Sequence, residues 1–518
     1  MKRIIALVMA CLLCFGLLSV AANAEEPSVL NIGLYGQPAN LDAMMTTDDL
    51  TSEVTYGSVY EKLVAFTVDN EVIPELCESW EISEGNTVYT YALRQGVLFH
   101  NGEEMTADDV VASMNRWLDN ASAPDALVGG ARFEKVDDYT VSITMENGTL
   151  YLNEMIAGLG QQAAIMPASV IEAVGEGELV AEYVGTGPYK YAEWPADCYI
   201  KLVPFEDYQP YGTPGDYSGW GGYKEPYFDE VYFYFPGDAS ALVNGMLTGE
   251  FDLLYQLSAN DFSTFEDSED FSLISGMEEM PMLIFNKSEG VASNAVVRQA
   301  VQAAINCDDV LYGSTGSEDY YALYSCYMFE NSLNWYTEAG SEYYNQNDPE
   351  RARELFEEAG WDFDSDVFRI LVRSDATDAY TQAQIVQAEL IDAGIQCELI
   401  APDSATYSSV RNEQPGEWDA FITSFGPKVM PGMNLFLQAS WAGWCTDERI
   451  QSDLAAISTA SDIETARQIW ADLQEYMYAE SVPVVKFGAT QISGACSNDF
   501  TGALIKERLV WVDVRPVA

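Results

Sequence analysis

Histidine is almost absent from this chain: His100 is the only one in 518 residues. That excludes a multi-histidine nickel or zinc site and leaves His100 as the sole candidate base for Ser-His-Asp hydrolysis. No GxSxG elbow accompanies it, and its place at a strand end suggests a hydrogen-bonded structural role. Basic residues are scarce too, 24 against 82 acidic ones, for a formal net charge of −58. Such a surface repels phosphate backbones and anionic lipid, so nucleic acid is excluded as a partner. The acidic excess reads first as a solvating surface and second as a preference for cationic ligands. Beyond residue 24 no CxxC pair occurs, which removes the usual zinc spacings. Internal repeats and low-complexity linkers are missing, and beyond residue 24 no stretch reaches the roughly 18 apolar residues that a membrane span needs.

The N-terminus carries Lys2-Arg3, an apolar run from Ile4 to about Val20, and Ala22-Asn23-Ala24. This reads as a secretory signal, residues 1–24, cut before Glu25. A lipoprotein cut before Cys11 or Cys14 is the rival, but Met9 and Leu12 are poor neighbours for it. The mature chain has 22 basic and 82 acidic residues, a net of −60. It is too long for one hydrophobic core, so two or three domains are expected. Seven cysteines remain (Cys77, Cys198, Cys307, Cys326, Cys397, Cys445 and Cys496), an odd and scattered set. Asp362, Asp364 and Asp366 form a DxDxD string, but Val367 and Arg373 stand where a calcium loop needs Gly and Glu. It reads as a solvated turn, and no cofactor or metal is expected.

The most informative stretch is Leu93–Trp117, LRQGVLFHNGEEMTADDVVASMNRW. It opens with strand-like alternation and turns at Asn101-Gly102. A helix then starts at Thr106, with Asp109 three residues on as an Asp variant of the capping box. Val110, Val111, Met114, Trp117 and Leu118 repeat at helical spacing. Further on come GTGPY (185–189), whose lack of a lysine argues against a P-loop, and VRQAVQAAIN (297–306), a helix capped by Ser293. DPERARELFEEAGW (348–361) is a helix with Asp348 as N-cap and Pro349 at its first position. The aromatic-rich YSGWGGYKEPYFDEVYFYF (217–235) reads as a strand. Val367–Val372, 378–393 and Ile395–Ile400 make a βαβ unit.

In this order the motifs resemble those of the extracytoplasmic solute-binding proteins of ABC importers, family 5, which includes dipeptide, oligopeptide and nickel binders. The resemblance implies an α/β, two-lobed, type II periplasmic-binding-protein fold with an extra inserted domain. Mapped by motif, lobe one takes 25–60, 185–275 and 482–518, the inserted domain 61–184, and lobe two 276–481. The implied partners are a peptide or other small solute and a membrane permease with its ATPase. The protein is expected to act as an exported monomer, in the periplasmic space or at the outer face of the membrane, and to catalyse nothing.

The ligand-facing stretch should be Trp418–Trp444, where a strand ends in Gly426-Pro427 and a loop follows at its C-terminal edge. Peptide binders of the family place there an Asp beside a proline, which takes the ligand's ammonium. This chain has Met430 before Pro431, adds Lys428, and has Phe425 where the family has Trp. Candidate ligand contacts are Tyr35 and Gln37 in the loop after the first strand, Gln161 before Met166-Pro167, and Phe425, Lys428, Trp441 and Trp444. Non-peptide solutes (an oligosaccharide, an opine-like compound or a chelated metal) are the alternative within the binding class. A secreted acidic hydrolase is the enzyme alternative.

Overall fold

A computed structural model of the chain describes residues 28–517 apart from 196, 197, 267, 331 and 333. The secretory signal and its cleavage site lie outside these residues. One large mixed sheet organises the rest. Its strands run in the order Gln396–Ile400, Val367–Leu371, Ala420–Phe425, Phe271–Phe285, Ala489–Ser497, Leu253–Tyr255, Val29–Gly33, Glu230–Tyr234, Tyr199–Pro204 and Tyr189–Glu193.

Phe271–Phe285 belongs to both halves of that sheet. Residues 271–279 pair antiparallel with Ala489–Ser497, and residues 280–285 pair antiparallel with Ala420–Phe425. The register slips between Met277 and Glu279, the local kink expected of a bulge. The chain crosses back from Val484–Lys486, which pairs with residues 282–284, into Ala489–Ser497. Beyond the slip the strand is buried on both faces. Met280, Met282 and Ile284 enter one apolar cluster with Trp418 and Trp470. Leu283 and Phe285 enter another with Val301, Phe356 and Ile370. This is period-2 alternation between two cores.

The other half has a single large core that runs from Leu30 and Ile32 through Tyr89, Tyr91 and Trp117 to Trp511. Residues 61–184 contribute a separate four-stranded antiparallel sheet to it, in the order Cys77–Ile82, Val88–Leu93, Thr140–Thr144, Phe133–Asp137. The helix Ala107–Asn120 begins as expected, the Asp109 carboxylate accepting from the Thr106 N–H at 2.8 Å and from its hydroxyl at 3.0 Å. Val110, Met114, Trp117 and Leu118 are its buried face. The βαβ unit is present, Val367–Leu371 and Gln396–Ile400 being parallel on either side of the helix Thr377–Asp392.

Two local expectations need correction. The 217–235 stretch holds only one ordinary strand, Glu230–Tyr234, plus a two-residue ladder between Tyr217–Ser218 and Gly221–Gly222. Gly219 and Gly222 take φ of +70° and +81°, and Pro226 cannot donate to a ladder, so the aromatic run is folded back on itself. Ser293 does not cap its helix. It ends a short 3-10 turn, and Asn294 is the cap, accepting from the Val296 N–H at 3.0 Å.

Arg116, in the Leu93–Trp117 motif, grips the fully buried Asp42 with two hydrogen bonds of 2.9 and 2.6 Å. Removing one partner of a buried pair strands the other charge. Arg116→Met is therefore expected to destabilise the fold by about 3–5 kcal/mol, read as a lower urea midpoint at unchanged slope.

Candidate functional site

A cavity of about 330 Å³ opens where the two halves of the sheet meet. That is near the lower end of the few hundred to a thousand Å³ usual for small-molecule sites. The crossing strand supplies Glu278 at its register slip. The C-terminal hairpin, Leu504–Lys506 paired with Arg508–Val510, supplies Lys506 and Glu507. Glu507 makes its turn at φ +55°, a region that side chains other than glycine's enter at a cost. The helix Leu152–Ala157 brings Glu154, and the hairpin of Val64–Phe66 with Val72–Pro74 brings Phe66. The loop after Ala420–Phe425 brings Lys428. Trp335 holds that loop by donating its indole N–H to the Val429 carbonyl at 2.9 Å.

Charge is poorly balanced inside. The Lys506 ammonium donates to the Val68 carbonyl at 2.6 Å, and among the described residues Lys428 reaches only its neighbour's carbonyl, Pro427, at 3.2 Å. Burial lowers the Lys428 pKa, and Arg508 lowers it further, against Glu507 and Asp49, which raise it. Glu278 is 5% exposed and its Oε2 has no partner among the described residues. Glu154 Oε2 is likewise buried and unpartnered. Burial pushes both carboxyls up to about 7. Glu279, next along the strand, is also pushed to about 7 by burial, then by Asp378 and Asp49.

Of the seven residues nominated from sequence, Lys428 lines this cavity. Tyr35 and Gln37 are exposed in the loop after Val29–Gly33. Tyr35 lies by Asp49, Glu53 and Arg508, so it shares with Lys428 the field of the Asp49–Arg508 ion pair. Gln161 is a brace in the first core: its amide donates to the carbonyls of Met44 and Asn120 at 3.0 and 2.9 Å. Phe425 and Trp441 pack on each other with ring centroids 5.6 Å apart, and Trp444 stacks on Trp418 at 5.8 Å. Glu278, Glu154, Glu507, Lys506 and Trp335 were not anticipated. Glu278 carried a signal, two consecutive glutamates inside the otherwise apolar FSLISGMEEMPMLIF (271–285).

The remaining motif residues are structural. The lone His100 accepts the Gly185 N–H on Nδ1 at 3.2 Å and bonds the Gly187 carbonyl through Nε2 at 2.9 Å. Burial holds its pKa near 4, so the imidazole is neutral. A Cβ at Gly185 or Gly187 would sit 2.0 or 2.2 Å from the carbonyl oxygens of Val59 or Ser58, which explains GTGPY as close packing. The Asp362–Asp366 turn closes on its own backbone, and no group of three or more potential metal ligands occurs among the described residues. Nor is any described helix long and apolar enough to cross a membrane.

Residues 71–443, more than half of the chain, match the profile of the bacterial extracellular solute-binding proteins, family 5 (middle). The chain belongs to this family. A probable peptide ABC transporter periplasmic-binding protein of Sinorhizobium fredii is 25% identical over 492 residues, 89% of each chain. CtaP, an ABC transporter substrate-binding protein of Listeria monocytogenes, shares the fold with a TM-score of 0.82 at 20% identity, covering 95% of this chain and all of that one. AgaA of A. tumefaciens R10, solved with agropinic acid, gives 0.73 at 22% identity over 95% and 99%. The α/β architecture of this family 5 solute-binding protein is thus the type II binding-protein fold. Its relatives are solute binders, which fits a chain that catalyses nothing.

The buried carboxyls set a pH dependence. Glu154, Glu278 and Glu279 have folded pKa values near 7 against about 4.3 in an unfolded chain. The folded state therefore holds more protons between these values, and stability falls as pH rises through 7. Without ligand, the melting temperature in calorimetry is expected to drop from pH 5 to pH 8. A flat or rising curve would mean that these groups are ionised in the folded state.

Proposed function

We propose that this protein is the substrate-binding component of an ABC importer. It captures a peptide-like solute between two lobes and delivers it to a membrane permease with its ATPase. The observation that carries this reading is the pairing of opposite charges in one cavity: Lys428 on one wall, Glu154 and Glu278 on others, with Phe66 and Trp335 between. A zwitterion with apolar side chains, such as a short peptide, complements all of them. The peptide assignment of the Sinorhizobium relative supports this. The agropinic acid in AgaA favours, as second reading, a non-peptide small solute.

In this reading lobe one comprises 25–60, 185–275 and 482–518, lobe two 276–481, and residues 61–184 are inserted. The lobes close about the Met277–Glu279 slip and the return crossing at Phe487-Gly488. The chain acts as an exported monomer whose mature end is Glu25.

Mass spectrometry of the solute that co-purifies tests the ligand class, and peptide masses are expected. Ligand should shrink the radius of gyration in small-angle scattering, and the solute should be recovered intact; a hydrolysed product would overturn the binding role. Lys428→Ala is expected to weaken binding of that solute by about 1–3 kcal/mol, as for a charge-assisted hydrogen bond. Lys428→Glu should weaken it further, both read by calorimetry. Wild-type affinity in Lys428→Glu would place this ammonium outside the contact.

A further inference from the structure

We infer that Glu278 is the receptor for a cationic group of the solute, an ammonium in the peptide-like reading on which this inference rests. Glu278 lines the cavity, its residue is 95% out of solvent, and its Oε2 meets no donor among the described residues. A buried carboxylate without a counter-ion is costly, and such groups in native proteins call for a reason.

Its surroundings do not neutralise it. The Lys506 ammonium acts on it through its field, but donates its hydrogen bond to the Val68 carbonyl. No ion pair to Glu278 is formed among the described residues, although Lys506 and Lys428 line the same space. The Glu507 N–H lies against one side of the carboxyl, and the Glu507 carboxylate repels it. Glu154, on the helix Leu152–Ala157, has an unpartnered oxygen of its own, so two carboxyls of the wall lack a donor among the described residues. Met430 is buried in the apolar cluster around Trp418 and brings no carboxylate to the cavity. An incoming ammonium supplies the missing donors: up to three N–H groups, with a positive charge that returns Glu278 to its ionised form. Because Glu278 sits at the register slip of the strand common to both halves, an ammonium bound there contacts the point about which the halves turn.

The test uses an equimolar library of unmodified di- to pentapeptides and its N-acetylated copy, offered to the mature full-length protein, with retained peptides weighed by mass spectrometry. Wild type is expected to retain unmodified peptides and to lose at least tenfold of that retention on acetylation. Glu278→Gln should retain both libraries equally and poorly. Its melting temperature without peptide should match or exceed the wild-type value, because an uncompensated buried charge is gone. Retention of both libraries alike by wild type overturns the inference and leaves the peptide reading standing. Retention of neither overturns the peptide reading and the inference with it. A lower melting temperature in Glu278→Gln makes Glu278 a structural partner and also overturns it.

Discussion

The structure depends on a single strand that serves both halves of the large sheet. Phe271–Phe285 holds Ala489–Ser497 with its first half and Ala420–Phe425 with its second. Backbone ladders on both sides fix its ends, so freedom concentrates where the register slips. Two elements that border the cavity, Leu504–Lys506 and the loop that follows Ala420–Phe425, are placed by contact with that strand. The cavity follows from the geometry: two half-sheets joined at a bend leave a wedge of space between them. The same bend explains the chemistry of its wall. Glu278 and Glu279 are the charged residues of the strand that stand at the slip, and Glu279 feels the negative fields of Asp378 and Asp49. Like charges therefore act on the slip, and a proton or a cation there relieves their repulsion.

The scaffold was legible in the sequence to the extent that its signals are local. Helix caps at Asp348 and Thr106, the apolar stripe of Ala107–Asn120 and the βαβ unit all depend on residues within a few turns of one another. The misread 217–235 stretch shows the limit, since aromatic content resembles a strand while two glycines at positive φ fold the chain back. Ser293 and Asn294 differ by one residue, and either is a good cap; the 3-10 turn ahead of the helix decides between them. The site was far less legible. Gln161, chosen from family position, braces the Met44 and Asn120 carbonyls, and the tryptophans at 441 and 444 pack on neighbouring rings. Glu154, Glu278, Trp335 and Glu507 meet across some 350 residues of sequence, and nothing local announces the meeting.

The motifs that identify the family are mostly framework. Ser113 bonds both the N–H and the carbonyl of Met166, Arg116 clamps Asp42, and His100 ties the first motif to GTGPY. The first braces residues 61–184 internally, and the other two tie that segment to Asp42 and to the GTGPY turn outside it. Such contacts are buried and geometrically exacting, so each admits few residue types. The cavity wall has no comparable restriction, because a wall must match its ligand rather than its own scaffold. Similarity to solute binders with different ligands is therefore compatible with a shared framework.

The acidic composition finally bears on the interior as well as the surface. Only 24 basic residues are available, and among the described residues six of them, Lys62, Lys224, Lys486, Lys506, Arg116 and Arg298, are buried. Four of the six are held by backbone carbonyls: Lys62 by Ala157 and Gly158, Lys486 by Tyr324 and Cys326, Arg298 by Ser481 and Ala292, Lys506 by Val68. Arg116 is matched to Asp42, and Lys224 to Glu75 and Glu61. The scarce cations are thus largely fixed inside the framework, and two carboxyls of the cleft, Glu154 and Glu278, keep oxygens without partners among the described residues. A protein with a surplus of cations would screen such positions with a mobile lysine. Here the framework has already taken most of the buried cations, so beyond Lys428 and Lys506 on the wall the charge that meets these carboxyls has to arrive with the solute or as protons.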